Sequence, residues 1–385
     1  MTLAPPDTRR ASTDTAALTV GVAAAGAAGR SGPGATPSPR DEAWRFTPLA
    51  RLRGLTDDAP SDARLRWETT VPIGVTVTER AADDPALAGV PTAGDFVAGL
   101  ALRRSGAAVV VTVPAGVVPD GPIVLRLTGT DAERVVWGHL VVEVRAGADV
   151  TLLLEHRGSA QYAALVSVVV GAGARLRLLQ VHDWDRDAVY AGQVSTRLGR
   201  DARLESSTVL LGGDLLRLQE TVEFAGTGGD AALAGVWLTT AGQHHESRLQ
   251  IDHAVPHCRS RVASRGALQG EDAHSVWVGD VLIRAEAVGT DTYELNRNLV
   301  LTDGARADSV PNLEISTGEV AGAGHASATG RFDDEQLFYL MSRGIPDGEA
   351  RRLVVRGFFA DVLGHVAGAA PELAARLTAA VEGRV

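Results

Sequence analysis

Lysine is absent from the 385 residues, so all 37 basic residues are arginine. A P-loop needs a lysine ammonium on the β- and γ-phosphates, and Schiff-base chemistry needs a lysine amine. Neither is available, so any ATP hydrolysis belongs to a partner. Cysteine occurs once, at Cys258. One thiol excludes an intrachain disulfide and any cysteine-rich zinc or cluster site built by this chain alone, and it fits a reducing, cytoplasmic setting. Aromatic residues are only 4% of a chain that is 45% hydrophobic. Val, Leu and Ala must therefore fill the interior, which favours regular, repetitive packing. No apolar run reaches the roughly eighteen residues of a membrane-spanning helix. An excess of 47 acidic over 37 basic residues, for a formal charge of −10, argues against nucleic acid or an anionic membrane as partner.

Residues 1–40 read as a disordered tail. Arg9 and Arg10 precede a weakly apolar stretch from Ala16 to Gly29, the outline of an export signal. That stretch is mostly Ala and Gly, follows Asp14 and runs into Gly/Pro/Ser-rich sequence as far as Pro39, so the tail reading is preferred. Order is expected from Asp41, where Trp44 and Phe46 bring the first aromatic pair. Residues 41–106 read as a mixed segment, with Phe96, Leu100 and Leu102 marking a short amphipathic helix.

From Ala107 the texture changes to short β-branched runs punctuated by Gly, Asp and Pro, such as Val109–Val113, Ile123–Leu127 and Leu140–Val144. Turn-then-strand units recur at Ala148, Ala174, Ala202 and Ala231, spaced by 26, 28 and 29 residues. A loose period of this size is the mark of stacked coils, each burying its face on the next. It favours a parallel β-helix core over 107–330 against a β-sandwich. The fold expected is thus mainly β, a solenoid with a small N-terminal mixed segment and a helical C-terminal domain over 331–385. In that domain Asp333 caps a first helix with Gln336 completing a capping box, and Gly344 ends it. A second helix starts at Pro346 and a third runs from about Pro371 to Val381. The three are expected to form a small core of their own.

The densest constellation is His244, His245, His253, His257 and Cys258, with Asp252 adjacent. Zinc or iron held by His253, His257 and Asp252 would make a metal-dependent enzyme of the β-helix or cupin type. Pro256 removes the helix on which His253 and His257 would converge, so structural roles are favoured. His325 stands alone in a run of small residues, Val320 to Gly330, which reads as a flexible loop that lets another backbone approach. The carboxylate pairs Asp303/Asp308 and Asp333/Asp334 read as a turn and a helix cap. No serine elbow, HExxH or phosphate loop is present, so the chain reads as a non-enzyme. A purely structural, protein-binding solenoid is a further alternative.

The stretch Asn296 to Ile315, the His325 segment and Asp333 to Ile345 resemble the SufB/SufD family of iron–sulfur cluster assembly scaffolds, with Ile251 to Arg261 similar upstream. The resemblance implies a right-handed parallel β-helix, a heterodimer with a SufB-like subunit, and docking of a SufC-like ATPase through the C-terminal helices. It assigns that docking to Asp333, Glu335, Phe338, Tyr339, Arg343, Gly344 and Arg356. It also implies a transient iron–sulfur cluster at the interface with the SufB-like subunit, with His325 as the candidate ligand and nothing tightly bound by the isolated chain, which could form a homodimer. His325 is followed by Ala326 rather than the glutamate of SufB-like chains. Ala323 stands where SufD-like relatives often carry cysteine, so the SufD side of the family fits, without a thiolate from this chain.

Overall fold

A β-branched run flanked by glycine turns can satisfy its backbone on both edges only if like runs lie beside it, and here those neighbours come from the preceding and following coils. The computed structural model describes residues 36–332, 334–369 and 371–384. Asp333 therefore lies outside the described residues, as do residues 1–35 of the expected tail. The elements run β1 (Arg66–Thr70), β2 (Thr76–Ala81), α1 (Phe96–Arg104), β3 (Ala107–Val113), β4 (Ile123–Val144) and β5 (Asp149–Val170). Coils then follow as pairs: β6 (Arg175–Trp184) with β7 (Val189–Leu198), β8 (Arg203–Leu210) with β9 (Leu215–Phe224), and β10 (Asp230–Thr239) with β11 (His244–His253). Next come β12 (Arg259–Leu268) with β13 (His274–Ile283), β14 (Asp291–Val300) with β15 (Arg306–Ile315), and finally β16 (Gly322–Arg331). The helices are α2 (Asp334–Ser342), α3 (Asp347–Ala369) and α4 (Pro371–Glu382).

The even strands β6 to β16 pair in parallel as one sheet and the odd strands β7 to β15 as a second, joined because the long β5 pairs with β6 through one half and β7 through the other. The result is a parallel β-solenoid of about 8 turns. The alanine period is nearly right. Ala202 receives a backbone hydrogen bond from Asp230, as Ala174 does from Arg203, so the residue in register after Ala202 is Gly229, and Ala231 pairs with Leu204. The coil is short because β8 has 8 residues where β6 has 10, while the turn from Ala225 to Gly229 is longer than that from Gly199 to Ala202.

Inward residues of both sheets form one apolar filling, from Leu152, Leu178 and Val166 to Trp237 and Trp277. The few aromatics fit because a glycine two residues away on the same strand leaves room. A Cβ on Gly192 would strike the Tyr190 ring, and one on Gly279 would strike Trp277.

Both outer faces are covered. Trp44, Leu52, Phe96 and Leu100 of the N-terminal segment pack on Ala163, Val189, Ala191 and Leu215 of the second sheet. Asp95 caps α1 by accepting from the Val97 and Ala98 amides. On the first sheet, Val355, Phe359, Val362 and Leu377 of α3 and α4 pack on Leu179, Val209, Val236 and Leu238. The expectation of a helical domain with a separate core is thus corrected. The outward residues of the even strands are themselves aliphatic, and the helices are what buries them.

The two ends of the solenoid differ. At the N-terminal end β1 pairs antiparallel with β4 and β2 with β3. At the other end β15 and β16 are the last strands of the two sheets, and among the described residues no strand pairs with their outer edges.

Candidate functional site

The open end is built by β14, β15 and β16. The run around His325, expected to be a flexible loop, is instead a strand paired residue for residue with β14 over Asp291↔Gly322 to Val300↔Arg331. Gly, Ala and Ser, which make up most of the run, carry no strand signal of their own. The unpaired edge of β14 supplies it, because each added residue gains ladder hydrogen bonds on a preformed template.

Register decides where His325 points. It pairs with Glu294, which pairs with Val262, then Leu233 and Ser206. This row faces inward in every earlier coil, and it turns ionisable only at Glu294 and His325. His325 itself is exposed because no further coil covers it.

Below it the interior becomes polar. The Asn296 side-chain Oδ1 accepts from the Asn298 Nδ2 amide at 3.0 Å, the Ser309 hydroxyl at 2.8 Å and the Ser327 hydroxyl at 3.4 Å. Glu294 is 1% exposed, and neither carboxylate oxygen has a hydrogen-bond partner. Burial, with the charge of Asp280 beside it, pushes its carboxyl up to about 8. Asp280 is raised too, by burial, although the Asn312 amide donates to it at 2.6 Å. Sequence reasoning missed Glu294. The alternation Thr292, Glu294, Asn296, Asn298 held the signal, but hydrophobicity would have turned Tyr293, Leu295 and Leu299 inward instead.

The histidine constellation disperses. His244 lies on the outer face of the second sheet beside Glu246, at 3.4 Å. His245 faces inward between the Gly212 carbonyl, 2.8 Å away, and the Thr239 hydroxyl, 3.0 Å away. His253 bonds the Ser260 hydroxyl at 2.9 Å and stacks on Phe224. His257 sits in a turn with φ +59°. Asp252 is held by Arg284 through two hydrogen bonds of 2.7 and 2.6 Å. Among the described residues no group of three or more His, Cys, Asp or Glu side chains is placed to hold a metal ion. The metal-enzyme alternative on His253, His257 and Asp252 thereby loses its geometric basis. Cys258 is buried just before β12, where its carbonyl accepts from Asp291 as the carbonyls of Ala174 and Ala202 accept from the coils that follow them. Burial pushes its thiol up, away from thiolate reactivity.

Of the carboxylate pairs, Asp303 pairs with Arg331 at 2.5 Å and Asp308 with His274 at 2.8 Å. The pair Asp333/Asp334 falls on a residue outside the described set and a side chain that is not described. A separate buried network ties the N-terminal segment to the second sheet. Arg217 bridges Asp95 at 2.7 Å and Glu246 at 3.4 Å and lies 3.7 Å from the Trp44 ring centroid. Burial alone would raise the Glu246 carboxyl, but His244, Arg217 and Arg248 hold it well below the usual range.

The residues assigned to ATPase docking fall in two places. Glu335, Phe338 and Tyr339 lie on α2, with Phe338 73%, Tyr339 57% and the adjacent Met341 45% exposed. Arg343 follows in the turn, its guanidinium 5.2 Å from the Tyr339 ring centroid, and Gly344 takes φ +85° to reverse the chain. Arg356 is apart from these, on α3, 3.5 Å from Glu382 of α4. No helix among the described residues is long and apolar enough to cross a membrane.

Comparison with known proteins fits this architecture. The family described as SUF system FeS cluster assembly, SufBD core domain, matches residues 126–358, from β4 into α3. An iron–sulfur cluster assembly SufBD family protein of Mycobacterium bovis is 51% identical over 358 residues, covering 90% of this chain and 88% of its own length. One from Mycobacterium leprae is 50% identical over 355 residues, covering 90% of each. The iron–sulfur cluster assembly protein SufD of Escherichia coli is 27% identical over 261 residues, 66% of this chain and 61% of its own.

Proposed function

This chain belongs to the SufBD family of iron–sulfur cluster assembly proteins, and from that premise we propose that it is a SufD-like, non-catalytic scaffold subunit. It pairs with a SufB-like subunit through the open end of its solenoid and docks a SufC-like ATPase through α2. The cluster is cargo, formed at the interface with the SufB-like chain and passed on.

The observation that carries this reading is the asymmetry of the solenoid ends. The first edge is closed by antiparallel strands, whereas among the described residues the last coil leaves β15 and β16 without an outer partner and partly to fully exposed. Bare strand edges invite pairing with another chain, and a protein that kept them without a partner would aggregate. His325 stands on that edge. An imidazole holds iron less firmly than a thiolate, which suits a site that must release its cluster. On α2, Phe338 and Tyr339 beside Arg343 have the aromatic-plus-arginine make-up of an interface centre. The absence of lysine leaves nucleotide hydrolysis to that partner.

The test is coexpression with SufB-like and SufC-like proteins, followed by size-exclusion chromatography with mass determination. The reading predicts one complex containing all three chains, whose ATPase rate exceeds that of the SufC-like protein alone. A chain that elutes alone in the presence of both overturns it. The alternative of a purely structural solenoid predicts the same complex but cluster loading indifferent to His325.

A further inference from the structure

Five carboxylates of the described residues are buried: Asp95, Glu155, Glu220, Glu246 and Glu294. Four are accounted for by their neighbours. Arg217 reaches Asp95 at 2.7 Å, Arg126 reaches Glu155 at 2.7 Å, the Ser206 hydroxyl donates to Glu220 at 2.8 Å, and Arg248 reaches Glu246 at 2.7 Å. Glu294, at 1% exposure, is the exception, with both oxygens unpartnered. A buried carboxylate without a cation or donor is destabilising, and an aliphatic residue would continue the row of Leu233 and Val262 without that cost. Its location is the second fact. Glu294 is the register partner of His325, so these two ionisable side chains end one inward row on successive coils at the uncovered end.

We propose that Glu294 is a second metal donor beside His325, so that a carboxylate and an imidazole from adjacent coils together take ferrous iron as cargo at the open end. This rests on reading His325 as the residue that faces the nascent cluster. Carboxylate and imidazole are donors that ferrous iron accepts, and a divalent cation supplies the positive charge that no side chain brings to Glu294. Two donors do not complete a coordination shell, so the rest must come from the chain that covers β15 and β16. The site is therefore weak in the isolated chain and forms fully on assembly, which makes loading conditional on pairing.

The test is an anaerobic titration of Fe(II) alone, competed against a chromogenic chelator, into the full chain assembled with its SufB-like partner. Wild type, Glu294→Gln, Glu294→Asp and His325→Ala are compared. Glu294→Gln is expected to weaken Fe(II) binding about tenfold or more, with partial rescue in Glu294→Asp. The metal-free Glu294→Gln chain should melt no lower than wild type, because an isostere replaces a buried carboxyl that makes no hydrogen bond. Wild-type affinity in Glu294→Gln together with weakened binding in His325→Ala overturns the proposal and leaves the reading of His325 standing. Wild-type affinity in both variants overturns both. A lower melting temperature or lost assembly in Glu294→Gln makes Glu294 structural and also overturns the proposal.

Discussion

Cys258 occupies a position where alanine serves in other coils, and its thiol lies 3.5 Å from the Gly226 and Pro256 carbonyls. Replacing it with alanine removes one sulfur from a site already shaped for a small residue. Cys258→Ala should cost about 1 kcal/mol or less in chemical denaturation and leave cluster loading of the assembled complex unchanged. Rapid alkylation of the native thiol by iodoacetamide would contradict its burial. Arg217 is the opposite case. It is fully buried and serves Asp95, Glu246 and Trp44 at once. Arg217→Ala takes the cation from buried Asp95 and leaves Glu246 to Arg248 and His244, so urea unfolding should show a loss of about 3–5 kcal/mol; a loss under 1 kcal/mol would mean the network holds without it. None of this was legible from the sequence, because Arg217, Glu246 and Asp95 sit far apart in number and meet only when the N-terminal segment folds over the second sheet.

At the scale of the element, the helices divide into two roles that the sequence did not separate. α3 and α4 bury the outer face of the first sheet through Phe359, Val362 and Leu377. Truncation after β16 would expose that face, at about 1.5–3 kcal/mol for each large apolar side chain uncovered, and so cannot test docking cleanly. Point changes on α2 can. Phe338→Ala and Tyr339→Ala should each weaken binding of the SufC-like ATPase about tenfold or more in calorimetry, with the melting temperature unchanged because both side chains are mostly exposed. Undiminished affinity would move the interface off α2. The helix pattern itself was readable: the expected boundaries at Gly344, Pro346 and Pro371 lie within a few residues of the observed ones. β16 was not, since its small residues carry no alternation and the edge of β14 makes it a strand.

Across the whole molecule, the repeat was legible because stacked coils of similar length impose it, and small shifts such as Gly229 in place of an alanine follow from the length of individual strands and turns. The interior charge was not, because polar residues in the last coils face inward by register against their own hydrophobic pattern. The buried histidines give the fold a pH dependence. Unfolded, each protonates near 6.5; folded, burial holds His156 down to about 3 and His139, His245 and His253 down to about 4, with His182 well below its usual value. Between those limits the unfolded chain binds more protons, so the stabilisation is complete above 6.5 and is lost as pH falls through the window, by up to about 1.4 kcal/mol per pH unit for each group. Glu294, Glu220 and Asp280 have the opposite sign, since burial raises their folded values. Three groups do not offset five. The melting temperature should fall steeply between pH 6 and 4.5 (about 1.5 pH units), and a flat profile by calorimetry would show that the histidines are not buried neutral.

The central claim is that the open end of this solenoid, with His325 on its edge, is where a second chain pairs and a cluster forms. It is tested most directly by the iron and sulfide content of the reconstituted complex with SufB-like and SufC-like partners, compared between wild type and His325→Ala. The account predicts an intact complex of unchanged elution volume whose cluster content falls about tenfold or more in the variant. Equal iron and sulfide in both complexes would contradict it.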